Sequence, residues 1–238
     1  MVELSIVIPT YKEEKYLPKL LNCLRKQTYK DFEVIVADKP FKDKTRKIAR
    51  EFKCKIVNGG LPSYGRNEGA KIANGDYILF LDADVRFEKY FIEKYLNWHK
   101  SKNLGSSTCW SFSYDKTHKF DSFIVYNFMN LGNLLIFLTQ GIKPSANGFC
   151  IMIKKNIHDK INGFDEKIEY GEDSEYVQRA KNFGKFAICL RTAVYPSIRR
   201  FTKNGPIKMC LKYIYLITKR EFVGYDKKNA KYFEESAR

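Results

Sequence analysis

Short apolar runs at Leu4 to Ile8, Phe32 to Ala37, Lys55 to Val57 and Tyr77 to Leu81 alternate with stretches of helical periodicity up to Asp84. Such alternation marks βαβ units, because two parallel strands need a crossover long enough to hold a helix. It predicts an α/β fold with a mixed, mostly parallel sheet flanked by helices. Between the first two runs Tyr16, Leu17, Leu20, Leu21 and Leu24 recur at helical spacing and would cover one sheet face. Further helices are expected over Asp43 to Phe52 and over Tyr64 to Asn74, the second stopped by Asn74-Gly75.

Beyond Asp84 the rhythm changes. The pattern predicts a helix from Glu88 to Lys100, strands at Ser106 to Tyr114 and Phe149 to Ile153, and a turn at Asn162-Gly163-Phe164-Asp165. A helix from Asp173 to Asn182, a strand from Lys185 to Leu190 and a last helix from Ile207 to Phe222 follow. One large domain over residues 1–200 is expected, with residues 201–238 as a basic, amphipathic helical extension packed on the domain or lying at a membrane surface.

Ser122 to Ile142 carries no charged residue and is long enough to span a bilayer. Asn127, Asn130, Asn133 and Gln140 interrupt it, and polar groups in hydrocarbon are costly, so it reads as an interfacial or acceptor-covering helix, or as a core helix. Met1 to Ile8 runs straight into a strand pattern and does not read as a signal peptide. Six cysteines without a C-x-x-C pair suit a reducing, cytosolic setting, and the three histidines have no zinc-ligand spacing. The 43 Lys and Arg against 27 Asp and Glu leave a net charge of +16, which favours polyanions, anionic membranes or phosphorylated substrates.

Chemistry concentrates where strands end. Tyr77 to Leu81 stops at Asp82-Ala83-Asp84, which places two carboxylates at the mouth of the sheet, where open α/β folds bind ligands. Hard oxygen ligands of this kind suit Mg²⁺ or Mn²⁺ held by one or two carboxylates plus substrate phosphates. The first strand ends in Pro9-Thr10-Tyr11 and the second in Asp38, a carboxylate able to accept a hydrogen bond from a nucleobase or ribose. Tyr64 to Ala70 opens the helix before the Asp-Ala-Asp strand. Gly69 and Ala70 permit close packing there, and Arg66 offers a planar, permanent cation for a base or phosphate.

In this order, Ser5 to Tyr11, Val34 to Asp38, Gly65 to Gly69, Asn74 to Asp84, Gly163-Phe164-Asp165 and Gly171-Glu172-Asp173 closely resemble the family 2 glycosyltransferases of the GT-A fold. The resemblance covers residues 3–190. It implies an inverting transfer of a sugar from a UDP- or GDP-sugar to a hydroxyl or phosphate of a glycan or lipid-linked acceptor. The cofactor implied is a divalent metal, Mn²⁺ or Mg²⁺, at Asp84 and Asp82. Pro9, Thr10, Tyr11, Glu13, Asp38, Arg66, Asn67, Asp82 and Ala83 would form the donor site. Asp173 would be the general base, with Glu172 as its rival or as an acceptor-orienting group, and Asn147, Gly148 and Trp110 would lie on the acceptor side.

Two departures qualify the match. Where many members continue Asp-Asp-Gly-Ser, this chain has Asp38-Lys39-Pro40-Phe41, and the Gln-x-x-Arg-Trp sequence of processive synthases is absent, so a single-addition enzyme is expected. The expected location is cytoplasmic, with peripheral contact at the inner face of the cell membrane. The alternative is a basic polyanion-binding, nucleic-acid-binding protein on an inherited nucleotide-sugar transferase fold. No zinc knuckle, RRM-type aromatic signature or recognition-helix module accompanies it, so no nucleic-acid partner is expected.

Overall fold

The computed structural model describes residues 2–113 and 119–225. The expected repeats appear as β1 (Leu4–Thr10), α1 (Leu17–Arg25), β2 (Phe32–Asp38), α2 (Thr45–Glu51), β3 (Lys55–Asn58), α3 (Pro62–Lys71) and β4 (Tyr77–Leu81). Then come β5 (Val85–Arg86), α4 (Phe91–Ser101), β6 (Ser106–Ser111), α5 (Lys119–Thr139), β7 (Cys150–Lys154), α6 (Lys155–Lys160), α7 (Glu172–Ala180), β8 (Phe186–Pro196), α8 (Arg199–Asn204) and α9 (Pro206–Val223). The strands lie in the order β3-β2-β1-β4-β7-β6-β8-β5. The β1–β4 half is parallel throughout, whereas β7 runs antiparallel to both β4 and β6. This is the mixed, mostly parallel sheet flanked by helices that the sequence predicts.

Alternation along β1 explains the two layers. Leu4, Ile6 and Ile8 face a core shared with Leu17, Leu20 and Leu24 of α1 and with Phe91 and Tyr95 of α4. Val7 faces the other way, into a core with Ala70 of α3, Phe80, and Tyr176 and Val177 of α7. Helix α3 comes close because Gly69 lacks a side chain: a Cβ there would overlap Val7 Cγ1. The end of α3 differs from expectation, since the helix stops at Lys71 and Gly75 serves another purpose. A Cβ at Gly75 would lie 2.6 Å from the Ser5 backbone nitrogen, so this glycine lets the chain entering β4 cross β1.

The last strand is also longer than its apolar pattern suggested. β8 runs on through Leu190, Arg191 and Thr192 because the register against β6 jumps there, from Cys109–Cys189 to Trp110–Ala193, a bulge whose exposed residues break the alternation. The end of the expected strand at Tyr114 lies outside the described residues, as do residues 226–238 of the expected extension. Helix α5 is no core helix: within its most apolar stretch, Ser122–Thr139, 17% of residues are buried, with Val125, Asn133 and Ile136 facing inward. By length and composition that stretch could also cross a membrane.

Two buried histidines carry a pH consequence. His99 Nδ1 lies 2.7 Å from Ser107 Oγ, and His158 Nδ1 lies 2.6 Å from Tyr176 Oη. Burial lowers their pKa values to about 3 and about 4. Both stay neutral in the fold and charge in the unfolded chain, so the stability they support is whole above pH ~6.5 and is lost as the pH falls through 4 toward 3. For His158 alone the loss amounts to roughly 3 kcal/mol. Urea melts at stepped pH should show this decline below pH ~6.5, and the decline should be smaller in His158→Gln. An identical pH slope in the variant would remove His158 as its source.

Candidate active site

The site grows from three chain segments that meet at the carboxyl edge of β1, β2 and β4. Arg66, in the second turn of α3, is fully buried and bridges them. Its Nη1 donates to Glu172 Oε1 at 3.1 Å and Asp173 Oδ1 at 2.9 Å, and its Nη2 donates to Asp82 Oδ1 at 3.2 Å and the Gly148 carbonyl at 2.9 Å. Burial works against this charge, but Asp173, Asp82 and Glu172 outweigh it and raise the pKa of Arg66. Arg66 therefore orders the carboxylates around it rather than reaching out to a base.

Glu172 and Asp173 open α7 behind Gly171, whose φ of 81° belongs to the left-handed region that glycine tolerates. Burial raises the pKa of both acids, with Arg66 opposing; at Asp173 the neighbouring Glu172 adds to the rise. Gly148 completes the enclosure, since a Cβ there would collide with the Asp173 carboxylate. On the same side, Asn147 Nδ2 donates to Asn133 Oδ1 at 3.4 Å, and Trp110 Nε1 donates to Asn130 Oδ1 at 3.3 Å. Both tie the predicted acceptor side to α5. Trp110 also lines a groove of about 450 Å³ with Phe112, Leu190 and Tyr195.

The second half of the Asp-Ala-Asp turn faces elsewhere. Ala83 is buried in the core, and this turns Asp84 away from Arg66 and toward Arg199 at the start of α8. Arg199 Nε lies 3.2 Å from Asp84 Oδ2, while its Nη1 and Nη2 donate to Glu13 Oε2 at 3.1 Å and Oε1 at 2.5 Å. Its guanidinium also stacks 4.2 Å above the Tyr16 ring. Burial pushes the Asp84 carboxyl up to about 7, opposed by Arg199 and reinforced by Asp82 and Glu13. Burial likewise raises Glu13, again with Arg199 opposing.

Asp82, Asp84, Glu13, Glu172 and Asp173 thus rely on direct contact with two guanidinium groups. An edge where five carboxylates share two guanidinium groups has a surplus of hard, negatively charged oxygens, which suits a divalent cation. Among the described residues no group of three or more His, Cys, Asp or Glu could enclose a metal. A cation here would share Asp84 and Asp82 with oxygens of a bound phosphate, the usual arrangement for Mg²⁺.

At the far end Thr10 Oγ1 donates to Asp38 Oδ1 at 2.7 Å, matching their pairing in the β1–β2 register. Arg46 of α2, not singled out in the sequence, donates from Nε to Asp38 Oδ2 at 2.9 Å and from Nη2 to Asn58 Oδ1 at 2.7 Å. Burial raises the Asp38 carboxyl, and Thr10 and Arg46 oppose the rise. Tyr11 meets Phe41 edge-on at 5.8 Å, with Lys39 Nζ 4.8 Å from the Tyr11 ring centre. Pro9 packs under Gly65. Asn67, expected in the donor site, instead uses its amide on the 163–166 turn: Nδ2 donates to the Phe164 carbonyl and Glu166, and Oδ1 accepts from the Phe164 N–H.

Arg199 also escaped the sequence reading. The Arg199-Arg200 pair was visible, but with the preceding strand expected to end at Leu190 it had no place in the fold.

Comparison with known proteins bears on this geometry. TarS of Staphylococcus aureus (strain Mu50), a poly(ribitol-phosphate) beta-N-acetylglucosaminyltransferase, is 37% identical over 99 residues, covering 37% of this chain and 17% of TarS. The first curated relatives are therefore far longer than the stretch they share with this chain. An uncharacterized glycosyltransferase of Haemophilus influenzae is 27% identical over 95% of this chain and 72% of its own length. Among solved structures, S. aureus TarS 1–349 in complex with UDP-GlcNAc superposes with a TM-score of 0.65 at 20% identity, over 82% of this chain and 58% of that one. Mannosyltransferase PcManGT of Pyrobaculum calidifontis, solved with GDP-Man and Mn²⁺, gives 0.69 at 15% identity, over 90% and 64%. Residues 5–161 match the model of glycosyl transferase family 2. The chain belongs to that family and has the GT-A fold.

Proposed function

We propose that this glycosyltransferase moves a sugar from a UDP- or GDP-sugar to a hydroxyl or phosphate of a glycan or lipid-linked acceptor, in one displacement with inversion. The observation that carries this reading is the Arg66 bridge, which ties the first aspartate of the Asp-Ala-Asp turn to the Glu172-Asp173 pair within hydrogen-bond distance of one side chain. A donor-facing carboxylate and a candidate base are thereby fixed on opposite sides of one guanidinium. Proteins of similar fold add support, since one is solved with UDP-GlcNAc and another with GDP-Man and Mn²⁺.

In this reading Pro9, Thr10, Tyr11 and Asp38 receive the nucleoside, with Arg46 holding Asp38 in place. Asp84 and Asp82 would hold Mn²⁺ or Mg²⁺, which when bound offsets charge on the departing diphosphate. Asp173 accepts the proton of the acceptor hydroxyl as that oxygen bonds to the anomeric carbon. The bond to the diphosphate oxygen breaks, and its electron pair leaves with the diphosphate. The rise in its pKa makes Asp173 a better proton acceptor than an ordinary aspartate. Asn147, Gly148 and Trp110 border the acceptor, residues 201–238 form the extension that follows the catalytic domain, and the enzyme works on the cytoplasmic side of the membrane.

Thermal melts with UDP, GDP, CDP and dTDP, each with Mn²⁺ and with EDTA, test the reading. One nucleotide should stabilise the protein in Mn²⁺ alone, by about 2.7 kcal/mol at 100-fold saturation. Asp84→Ala should abolish that shift. Equal stabilisation in EDTA would remove the metal from the proposal, and no shift with any nucleotide would remove the donor.

A further inference from the structure

We propose that α5 and α9 together form a docking surface for an anionic lipid bilayer. The two helices pack against each other, with Phe128 and Tyr213 stacked at 6.3 Å and Lys143 paired with Glu221. Each buries one side and leaves the other apolar and open. On α5, Phe123, Leu131, Leu134 and Leu138 recur at spacings of three, four and eight residues and are 45–67% exposed, opposite the buried Val125 and Ile136. On α9, Ile207, Leu211, Ile214 and Tyr215 fall on one arc and are 50–64% exposed, opposite Met209 and Cys210. A monomer in water rarely leaves two adjoining helices so apolar on the outside.

Charge selects the occupant. Lys208, Lys212 and Lys219 share one stripe of α9, directly beside its open apolar arc. A helix with an apolar arc bordered by lysines suits the boundary between acyl chains and headgroups, where the lysine stems lie on hydrocarbon and the ammonium groups meet phosphates. A two-fold pair of copies would instead bring this lysine stripe against itself.

The surface adjoins the reaction edge. Asn133, on the inward side of α5, donates to the Ser111 carbonyl at 2.8 Å and accepts from Asn147. At the other end, Tyr225 beyond α9 donates to Gln178 of α7 at 3.1 Å. A bilayer against α5 and α9 would therefore lie beside the loop that borders the proposed acceptor. The inference stands apart from the transfer chemistry, because vesicle binding and nucleotide binding are read separately.

The experiment is co-sedimentation of the full chain with phosphatidylcholine vesicles and with vesicles containing phosphatidylglycerol, at low and high salt. Binding is expected to the anionic vesicles alone, to weaken with salt, and to fall about 100-fold when Lys208, Lys212 and Lys219 are all changed to Gln. Leu211→Glu with Leu134→Glu should abolish it while leaving the melting temperature and the nucleotide-induced shift in place. Equal binding to both vesicle types, or no binding to either, would overturn the proposal. So would a dimer in light scattering that Leu211→Glu splits while the wild type ignores vesicles.

Discussion

Asp173→Asn is expected to lower kcat by about 10² to 10⁴ while leaving donor affinity nearly unchanged. The substitution keeps the side chain's size and its Oδ1 as an acceptor for Arg66, so the bridge to Asp82 and Glu172 persists. What it removes is a carboxylate that burial and Glu172 make unusually ready to take a proton. Steady-state kinetics should show the loss in kcat, and melts with nucleotide should show a normal shift. Glu172→Gln is the control: its oxygen also contacts Arg66, and it is more buried than Asp173. If Asp173→Asn turns over normally and Glu172→Gln does not, the base is Glu172.

Arg66→Met should cost about 3 to 5 kcal/mol of stability, the range typical for stripping one partner from a buried ion cluster. The methionine fills much of the space but leaves Glu172, Asp173 and Asp82 without the guanidinium that holds them. Arg66→Lys should recover only part of this, because an ammonium cannot span four acceptors with a planar fork. Urea denaturation gives the comparison. A loss below about 1 kcal/mol in Arg66→Met would mean the carboxylates take up protons at little cost, and the bridge would lose its structural role.

Much of this site was legible in the sequence because strand ends are. Thr10, Asp38 and Asp82 terminate apolar runs whose length and order fix them on one edge, and the structure places all three there. What could not be read was pairing between distant segments. β5 is two residues long and exists through its bond to Tyr195 and Pro196, so no local pattern announces it. Arg66 looked like an outward cation because arginine usually is one, and only the arrival of α7 from 106 residues away buries it. Asn67 was misplaced for a similar reason, since the turn that takes its amide lies far along the chain.

Arg199 has one more implication. It opens α8, and a single glycine, Gly205, separates α8 from α9, so the residue that grips Asp84 and Glu13 is anchored to the same short stretch of backbone as the exposed helix. Two equilibria that share a mechanical element are reciprocal: whatever factor a surface bound to α9 imposes on cation loading at Asp84, cation loading must return to the affinity for that surface. The two affinities stay separate measurements, and the coupling free energy between them would be a single quantity readable from either side.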